Sequence, residues 1–398
     1  MEWDERAELA HDTLCDKCWI SSFRSGHPSE IIEDHCGSFN WSCCVRFRDG
    51  VEWLVQFAVP GRVMDGDKKL RREVAVMCLV REKTKILVPK SLGHLWREGP
   101  TEWILRSDIS EQDLCTVYRQ ITGFYLKLSK LEFPNVGSLS IRDDQSIYLD
   151  LGPLTLKMQE IEAHGGVKVG GNCLKTFPSA IGYFDYVTRQ DMEQLYEQPS
   201  SVDNVDDAWA KYQLRHQINA IIPRFVAEEY NYTSFRLIYD DFCYRNMIVN
   251  NTRELKIIVV IDWEWAYAAL YHIFYSAPRW LLIKNLIFWA APNGPEFYRY
   301  NACLEIFLNK LEQEESKRNR KSMSDGKFWF HELIYNCFTP ANNSAWKAIY
   351  DIYPNADKLA PISEPELNKF VGKKMKQLVA YRAEWGVIKA KIDRKKAE

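Results

Sequence analysis

The chain has 398 residues and a mass of 46.7 kDa, with 46% hydrophobic and 27% charged residues, which is typical of a globular protein. At roughly 100–200 residues per domain, this length predicts two domains. Lysine and arginine total 52 against 54 aspartate and glutamate, a formal net charge of −2. This balance argues against a nucleic-acid partner, because nucleic-acid-binding proteins usually carry a basic excess.

The start of the chain is charged, and its longest apolar run, residues 280–291, is too short for a bilayer, which needs roughly 20 residues. The 11 cysteines are scattered and odd in number. We therefore expect a cytoplasmic protein with reduced thiols and no membrane partner. Cys15 and Cys18 have the spacing of a zinc or redox pair, but no second pair follows, so unligated thiols are the favoured interpretation.

The first hundred residues predict a small sheet with one helix across it. Apolar and polar side chains alternate through residues 40–60 on either side of Asp49-Gly50, which is typical of a β-hairpin. Residues 65–82 have helical periodicity, and a further strand is expected at 102–106. The apolar stripe predicted for the helix consists of Leu70, Val74 and Met77.

Helical periodicity dominates after about residue 110. Helices are predicted at 111–130, 203–230, 294–315 and 364–392. In the third of these, one apolar stripe consists of Tyr300, Leu304, Phe307 and Leu311. Two short apolar strands, 247–249 and 257–261, interrupt the helical region. The basic run 317–321 predicts a solvated loop.

The stretch that indicates chemistry contains Asp241, then Asn246 five positions later, a strand, a turn, a second strand and Asp262. This is the spacing of a kinase catalytic loop followed by its metal-binding aspartate. Phosphoryl transfer requires a carboxylate to accept the proton of the attacking hydroxyl, for which Asp241 is the candidate. Mg²⁺ prefers hard oxygen ligands, for which Asn246 and Asp262 are the candidates. The alternative is a chance spacing, with Asp262 capping a helix.

Several blocks around this motif resemble the aminoglycoside phosphotransferase and choline kinase-like family, in its divergent fungal-type branch. They run in order from Gly37-Ser38-Phe39-Asn40 through the catalytic loop and Asp262-Trp263-Glu264-Trp265 to the aromatic segment 325–329. The resemblance implies an α+β, bilobal protein-kinase-like fold. It also implies an N-terminal extension at 1–34, a nucleotide-side lobe of sheet and one helix at 35–108, and a larger helical lobe at 109–398.

The same resemblance implies a phosphotransferase that uses ATP and Mg²⁺ on a hydroxyl group of a small molecule. The nucleotide-binding candidates are Gly37, Ser38, Asn40, Gln56, Glu73 and Ser107. Glu264, Arg245 and Trp265 are candidates for a second metal or for the acceptor. The family places a lysine or arginine where this chain has Gln56. A bond from Gln56 to Glu73 is one expectation there, and a cation from Arg46 or Arg48 is another.

Two further departures lie in the catalytic loop, where Tyr239 replaces the usual histidine and Asp240 the usual glycine. A tyrosine can supply a comparable ring and hydrogen bond. Asp240 adds negative charge near the phosphates unless it points away or pairs with Arg245. Two alternatives to a kinase therefore stay open: a binding protein on a kinase-like fold, and an enzyme that uses the same cleft on a metabolite without nucleotide.

Overall fold

The computed structural model describes residues 17–24, 26–37, 39–59, 62–63, 65–89, 110–169, 174–226, 228–232, 235–251, 253–270, 273, 276–281, 294–311, 313–335 and 344–397. Within the described residues, an antiparallel sheet and two helices form the N-terminal part, and the remainder is mostly helical with short two- and three-stranded sheets. The α+β class predicted from the sequence is confirmed, with a sheet in the N-terminal part and mostly helices in the C-terminal part. The expected strand at 102–106 lies outside the described residues.

The N-terminal sheet has three antiparallel strands in the order β1 (Ser29–Cys36), β2 (Asn40–Phe47) and β3 (Glu52–Ala58). Gly50 adopts a φ of 83°, a left-handed conformation that glycine tolerates without strain, so β2 and β3 form the predicted hairpin. Alternation sends one face of the hairpin into a small core beneath helix α1 (Lys17–Ser22). On the opposite face, Asn40 at one end of β2 contacts Glu264 of the C-terminal part.

Helix α2 (Gly66–Lys83) follows the sheet and packs against the C-terminal part of the chain. Its first turn is capped by Asp65, which accepts a hydrogen bond from the Lys68 backbone nitrogen. The predicted stripe is wrong in part, because Leu70 is 56% exposed. The buried face of α2 instead carries Lys69, Arg72, Glu73, Ala75, Val76 and Val80. Lys69 is buried here because it meets the opposite charge of Glu264 from a distant segment.

The C-terminal part contains three small antiparallel sheets. One has the order β10 (Ala266–Ala269), β7 (Phe235–Tyr239) and β4 (Glu132–Phe133). The others pair β5 (Leu139–Ile141) with β6 (Ile147–Leu149), and β8 (Met247–Val249) with β9 (Ile257–Val260). The predicted strands at 247–249 and 257–261 are confirmed, apart from the last residue of the second. Because β7 leads into the catalytic-loop sequence, this arrangement fixes where that loop begins.

Helices surround these sheets and bury the large core. They are α3 (Glu111–Leu128), α4 (Leu156–Gln159), α5 (Ala180–Glu197), α6 (Val205–Phe225), α7 (Pro295–Leu308), α8 (Gln313–Ser324), α9 (Lys327–Tyr335), α10 (Ser344–Ile352) and α11 (Glu364–Ala397). The stripe predicted from Tyr300 to Leu311 is buried as expected, although α7 ends before Leu311. None of the helices in the described part of the chain combines the length and apolar character of a membrane span.

The prediction of a loop at 317–321 is wrong, since these residues lie within α8. Polar side chains form the buried face of this helix, and the Ser322 hydroxyl accepts a hydrogen bond from the Ala277 backbone nitrogen at 3.0 Å. Ser316 Oγ donates to the carbonyl oxygen of Leu308, at the end of the preceding helix. Small polar residues thus pack α8 against the body, although its hydropathy pattern does not predict a packed helix.

Candidate active site

The catalytic-loop sequence folds into a tight turn directly after β7. The Asn246 side chain donates from Nδ2 to the Asp241 backbone oxygen at 2.8 Å and to Asp241 Oδ2 at 3.1 Å. The backbone oxygen of Asn246 accepts from the Ile261 nitrogen at 2.9 Å. Asp262 follows Ile261 directly, so one chain of hydrogen bonds and peptide bonds connects the three residues predicted as base and metal ligands.

Asp262 has a φ of 67° and a ψ of 43°, a left-handed backbone conformation that is uncommon outside glycine. A single-turn helix, Trp263–Trp265, follows it immediately. The indole nitrogen of Trp263 donates to the Val260 carbonyl oxygen at 2.9 Å and fixes this turn from inside the core. The sharp bend at Asp262 is therefore held in place by its neighbours on both sides.

Tyr239 supports the catalytic loop from beneath. Its hydroxyl donates to the Ile261 carbonyl oxygen at 2.8 Å, and its ring stacks on Trp263 with 4.9 Å between centroids. Burial raises the pKa of Tyr239 well above its ordinary value, helped by the negative charges of Asp262 and Asp241, so the hydroxyl keeps its proton. The tyrosine thus supplies the ring and the hydrogen-bond donor expected at the usual histidine position.

Asp240 points away from Asp241 and into the C-terminal part. Its Oδ1 accepts from the Tyr267 hydroxyl at 3.2 Å, and the Leu156 backbone nitrogen also donates to its carboxylate. Burial raises the pKa of Asp240 to about 7, and the positive charge of Arg279 acts in the opposite direction. The side chain of Arg245, the partner considered for Asp240, lies outside the described part of the structure.

A cavity of about 80 Å³ adjoins Asp240. Apolar and aromatic side chains form most of its wall, and Arg279, Glu332 and Tyr335 supply polar groups. Arg279 Nε contacts Glu332 Oε1 at 2.5 Å, while the Arg279 guanidinium lies 5.4 Å from the centre of the Tyr335 ring. This recess is mostly apolar with a few polar groups, and it is smaller than the roughly 300–1,000 Å³ of ordinary small-molecule sites.

Between β1 and β2, the chain makes a tight turn, in which the Gly37 nitrogen donates to the Asn40 oxygen at 2.8 Å. Asn40 starts β2 and donates from Nδ2 to Glu264 Oε2 at 2.9 Å. This bond joins the N-terminal sheet to the segment that carries Asp262. Ser38 and Ser107, two further nucleotide candidates, lie outside the described residues.

Gln56 and Glu73 do not meet. Gln56 is exposed and donates to Ser42 Oγ at 3.3 Å across the hairpin. Glu73 is buried, and the Trp263 backbone nitrogen donates to its carboxylate. Burial raises the pKa of Glu73 to about 8, and the charges of Glu264 and Asp262 add to the effect. The expected bond between Gln56 and Glu73 is therefore absent, and each side chain bonds to a different partner.

The expectation that Arg46 or Arg48 supplies the missing cation is wrong. Arg46 contacts Glu52 at 2.8 Å beside the hairpin turn, at the opposite end of β2 from Asn40, and Arg48 is exposed in the turn itself. The sequence analysis overlooked Lys69, which lies one helical turn before Glu73. Lys69 is 2% exposed, donates to Asn40 Oδ1 at 2.8 Å and forms an ion pair with Glu264.

Trp265 is buried in a cluster with Leu154, Met158 and Phe39. Its ring meets the Phe39 ring edge-on, with 5.4 Å between centroids. Trp265 is thus part of the wall that encloses Lys69, which lies 5.8 Å from its ring centre. Trp265 is 1% exposed, and a direct contact with an acceptor, one of the roles considered from the sequence, stays a prediction.

The oxygens of Asp241, Asn246 and Asp262 are of the kind that Mg²⁺ binds in proteins. Because Asn246 uses its amide nitrogen for Asp241, its Oδ1 is the atom suited to a cation. No group of three histidine, cysteine, aspartate or glutamate side chains in the described ranges lies close enough to hold a metal by itself. A site with one amide and several waters fits Mg²⁺, which keeps part of its hydration shell.

No protein-family model matches the sequence, and no curated protein matches it either. Among solved structures, the chain resembles an ethanolamine kinase of Plasmodium vivax at 12% identity, with a TM-score of 0.41 over 89% of this chain and 82% of the other. A type I macrolide 2′-phosphotransferase follows at 10% identity, with a TM-score of 0.41 over 91% and 96% of the two chains.

A microcompartment-associated aminopropanol kinase also matches, at 9% identity and a TM-score of 0.43 over 89% and 90% of the two chains. At these scores the likeness does not bear on function, which is inferred from the side chains of the site. Two of these three solved structures are named as kinases and the third as a phosphotransferase.

Proposed function

We propose that the protein is an ATP- and Mg²⁺-dependent phosphotransferase that acts on a hydroxyl group of a small molecule. The observation that carries this proposal is the pair of hydrogen bonds from the Asn246 amide to Asp241, at 2.8 and 3.1 Å, beside the sharp bend at Asp262. A carboxylate and an amide held together in this way, next to a second carboxylate, supply a proton acceptor and oxygen ligands in one place.

In the proposed reaction, the acceptor oxygen attacks the γ-phosphorus of ATP, a new O–P bond forms, and the bond from phosphorus to the bridging oxygen of ADP breaks. Asp241 takes the proton of the acceptor hydroxyl. The bond from Asn246 holds the Asp241 carboxylate in one orientation. When bound by Asn246 and Asp262, Mg²⁺ would neutralise the charge on the phosphates.

The cavity beside Asp240 is not the proposed place for the acceptor. Asp241, Asn246 and Asp262 are not among the described residues that line it, and its volume of about 80 Å³ is small for a substrate. Asp240 accepts hydrogen bonds from Tyr267 and from the Leu156 backbone nitrogen, so its carboxylate has partners of its own. We therefore expect the acceptor hydroxyl beside Asp241, where it can reach the proposed base.

Asp241→Asn tests the proposed base. We expect this variant to lose phosphate transfer while still gaining thermal stability from Mg-ATP, because the amide cannot accept the hydroxyl proton but leaves the other ligands in place. The matched control is Asp143→Asn, an exposed aspartate in the turn between β5 and β6. Full activity of Asp241→Asn in an ADP-release assay, with an acceptor found by screening, would refute the assignment.

A binding protein on the same fold is the second candidate, favoured by the exposed, neutral Gln56 at the strand position. A melting scan separates the two functions. At 100 times the dissociation constant, a ligand stabilises by about 2.7 kcal/mol. At about 2.1 cal/mol/K per residue, 398 residues convert this to a rise in Tm of about 3 °C. No rise with Mg-ATP would favour the binding protein, or an enzyme that works without nucleotide.

A further inference from the structure

The ammonium group of Lys69 is buried between the N-terminal sheet and the C-terminal part of the molecule. Only 2% of the residue is exposed, and Glu264, its ion-pair partner, is 3% exposed. Burying such a charge is costly unless partners compensate for it. Since a methionine of similar length would fill the same space without that cost, the charge at Lys69 calls for a role other than packing.

One partner of Lys69 is a nucleotide-binding candidate of the sequence analysis, and the other lies close to a proposed metal ligand. Asn40, which accepts from Lys69 Nζ at 2.8 Å, follows the turn between β1 and β2. Glu264 comes two residues after Asp262. Asn40 also donates to Glu264 at 2.9 Å, so the three side chains form a closed triangle. The ammonium group therefore lies where the turn between β1 and β2 meets the segment that carries Asp262.

Aromatic rings restrict the other directions open to the Lys69 side chain. The ammonium nitrogen lies 5.9 Å from the centre of the Phe39 ring and 5.8 Å from that of Trp265. Ring faces at this distance favour a cation and exclude water. In the nucleotide-free protein, the ammonium group therefore lies between its two oxygen partners and the two rings.

The balance of charge at this junction is negative. After burial, the negative charges of Glu264 and Asp262 raise the pKa of Glu73, and the positive charge of Lys69 acts in the opposite direction. The strand position that would carry a cation has Gln56, which bonds to Ser42 on the hairpin instead. A triphosphate would bring further negative charge to this place, so a nearby cation is needed for it to bind.

We propose that Lys69, on helix α2, supplies the cation that contacts the nucleotide phosphates, and that Glu264 occupies this contact when no nucleotide is bound. This inference rests on the proposed function. A carboxylate oxygen and a phosphate oxygen are comparable acceptors for an ammonium group, so one can replace the other. On binding of Mg-ATP, Lys69 transfers from Glu264 to a phosphate oxygen, and Asn40 keeps its bond to the lysine.

The first test compares ATP and adenosine binding, each with Mg²⁺, in the wild type and in Lys69→Met by titration calorimetry. Loss of a charge-assisted contact corresponds to roughly 10- to 100-fold weaker binding of ATP. Adenosine lacks phosphates, so its affinity should not change. The control is Lys68→Met, which removes the exposed neighbouring lysine that pairs with Asp65. Equal ATP affinity in Lys69→Met and the wild type would overturn the proposal.

A second variant keeps the proposal testable if Lys69→Met does not fold. Glu264→Gln removes the resting partner of Lys69 but retains an oxygen that can accept from Asn40. In the absence of Mg²⁺, this variant should bind ATP several-fold more tightly than the wild type, because Lys69 no longer has to leave an ion pair. A purely structural Lys69–Glu264 pair predicts no gain, and that result would also overturn the proposal.

These outcomes separate this inference from the proposed function. A wild-type protein that binds Mg-ATP, together with a Lys69→Met variant that binds it equally, refutes only the role of Lys69. A wild-type protein that does not bind Mg-ATP at all refutes the proposed function, and the role of Lys69 with it.

Discussion

The buried carboxyl of Glu73 makes the stability of the protein depend on pH. Its pKa rises from the ordinary 4.5 to about 8 because burial penalises the charged form. At about 1.36 kcal/mol per pKa unit, ionising Glu73 in the folded protein costs roughly 5 kcal/mol. The folded protein binds a proton that the unfolded chain has released between these two pH values, so stability is lost as the pH rises through this window.

Glu73→Gln should remove this dependence, because glutamine keeps an oxygen for the Trp263 backbone nitrogen and carries no charge. Between pH 5 and pH 9, we expect the free energy of unfolding of the variant to gain about 4 kcal/mol relative to the wild type. The measurement is urea denaturation of both proteins across this range in the presence of a chelator. If the free energy of unfolding changed with pH in the same way in both proteins, the reasoning would be refuted.

Two other predictions concern the backbone and the support of the catalytic loop. Gly326 has a φ of 86°, and an added Cβ would lie 3.2 Å from Phe225 and 3.1 Å from Ile352, so Gly326→Ala should lower the free energy of unfolding by about 1–3 kcal/mol in urea denaturation. Gly372→Ala, in the open middle of a helix, should instead raise it by up to about 1 kcal/mol, and the reverse order would contradict this account. Tyr239→Phe removes the bond to the carbonyl before the metal-ligand aspartate, and kcat should fall roughly 10-fold or more, with little change in melting temperature.

Local patterns made part of the site predictable. The hairpin follows from alternation and from the Asp49-Gly50 turn, which needs only neighbouring residues to form. The spacing from Asp241 to Asn246 fits one tight turn, and the structure joins the two side chains directly. In both cases the information lies within a few positions of the chain.

The surroundings of Lys69 could not be read in this way. Hydropathy placed Leu70 in the core, whereas the buried face of α2 is built around Lys69 and Glu73. The partner of Lys69 is Glu264, almost 200 positions later, so no local pattern reports the pair. A signal was nonetheless present, since a lysine four positions before the predicted Glu73 lies on the same side of a helix.

The last helix has a consequence for the end of the chain. The first half of α11 buries Leu367, Val371 and Leu378 against the body, while residues 382–394 are exposed throughout. The same side of the helix continues outward with Trp385, Ile388 and Ile392, at spacings of three and four. A helix that is already nucleated extends at little cost, so the packed first half of α11 helps the outer turns to stay helical. At about 1.5 Å per residue, the exposed residues 382–394 form a rod roughly 20 Å long.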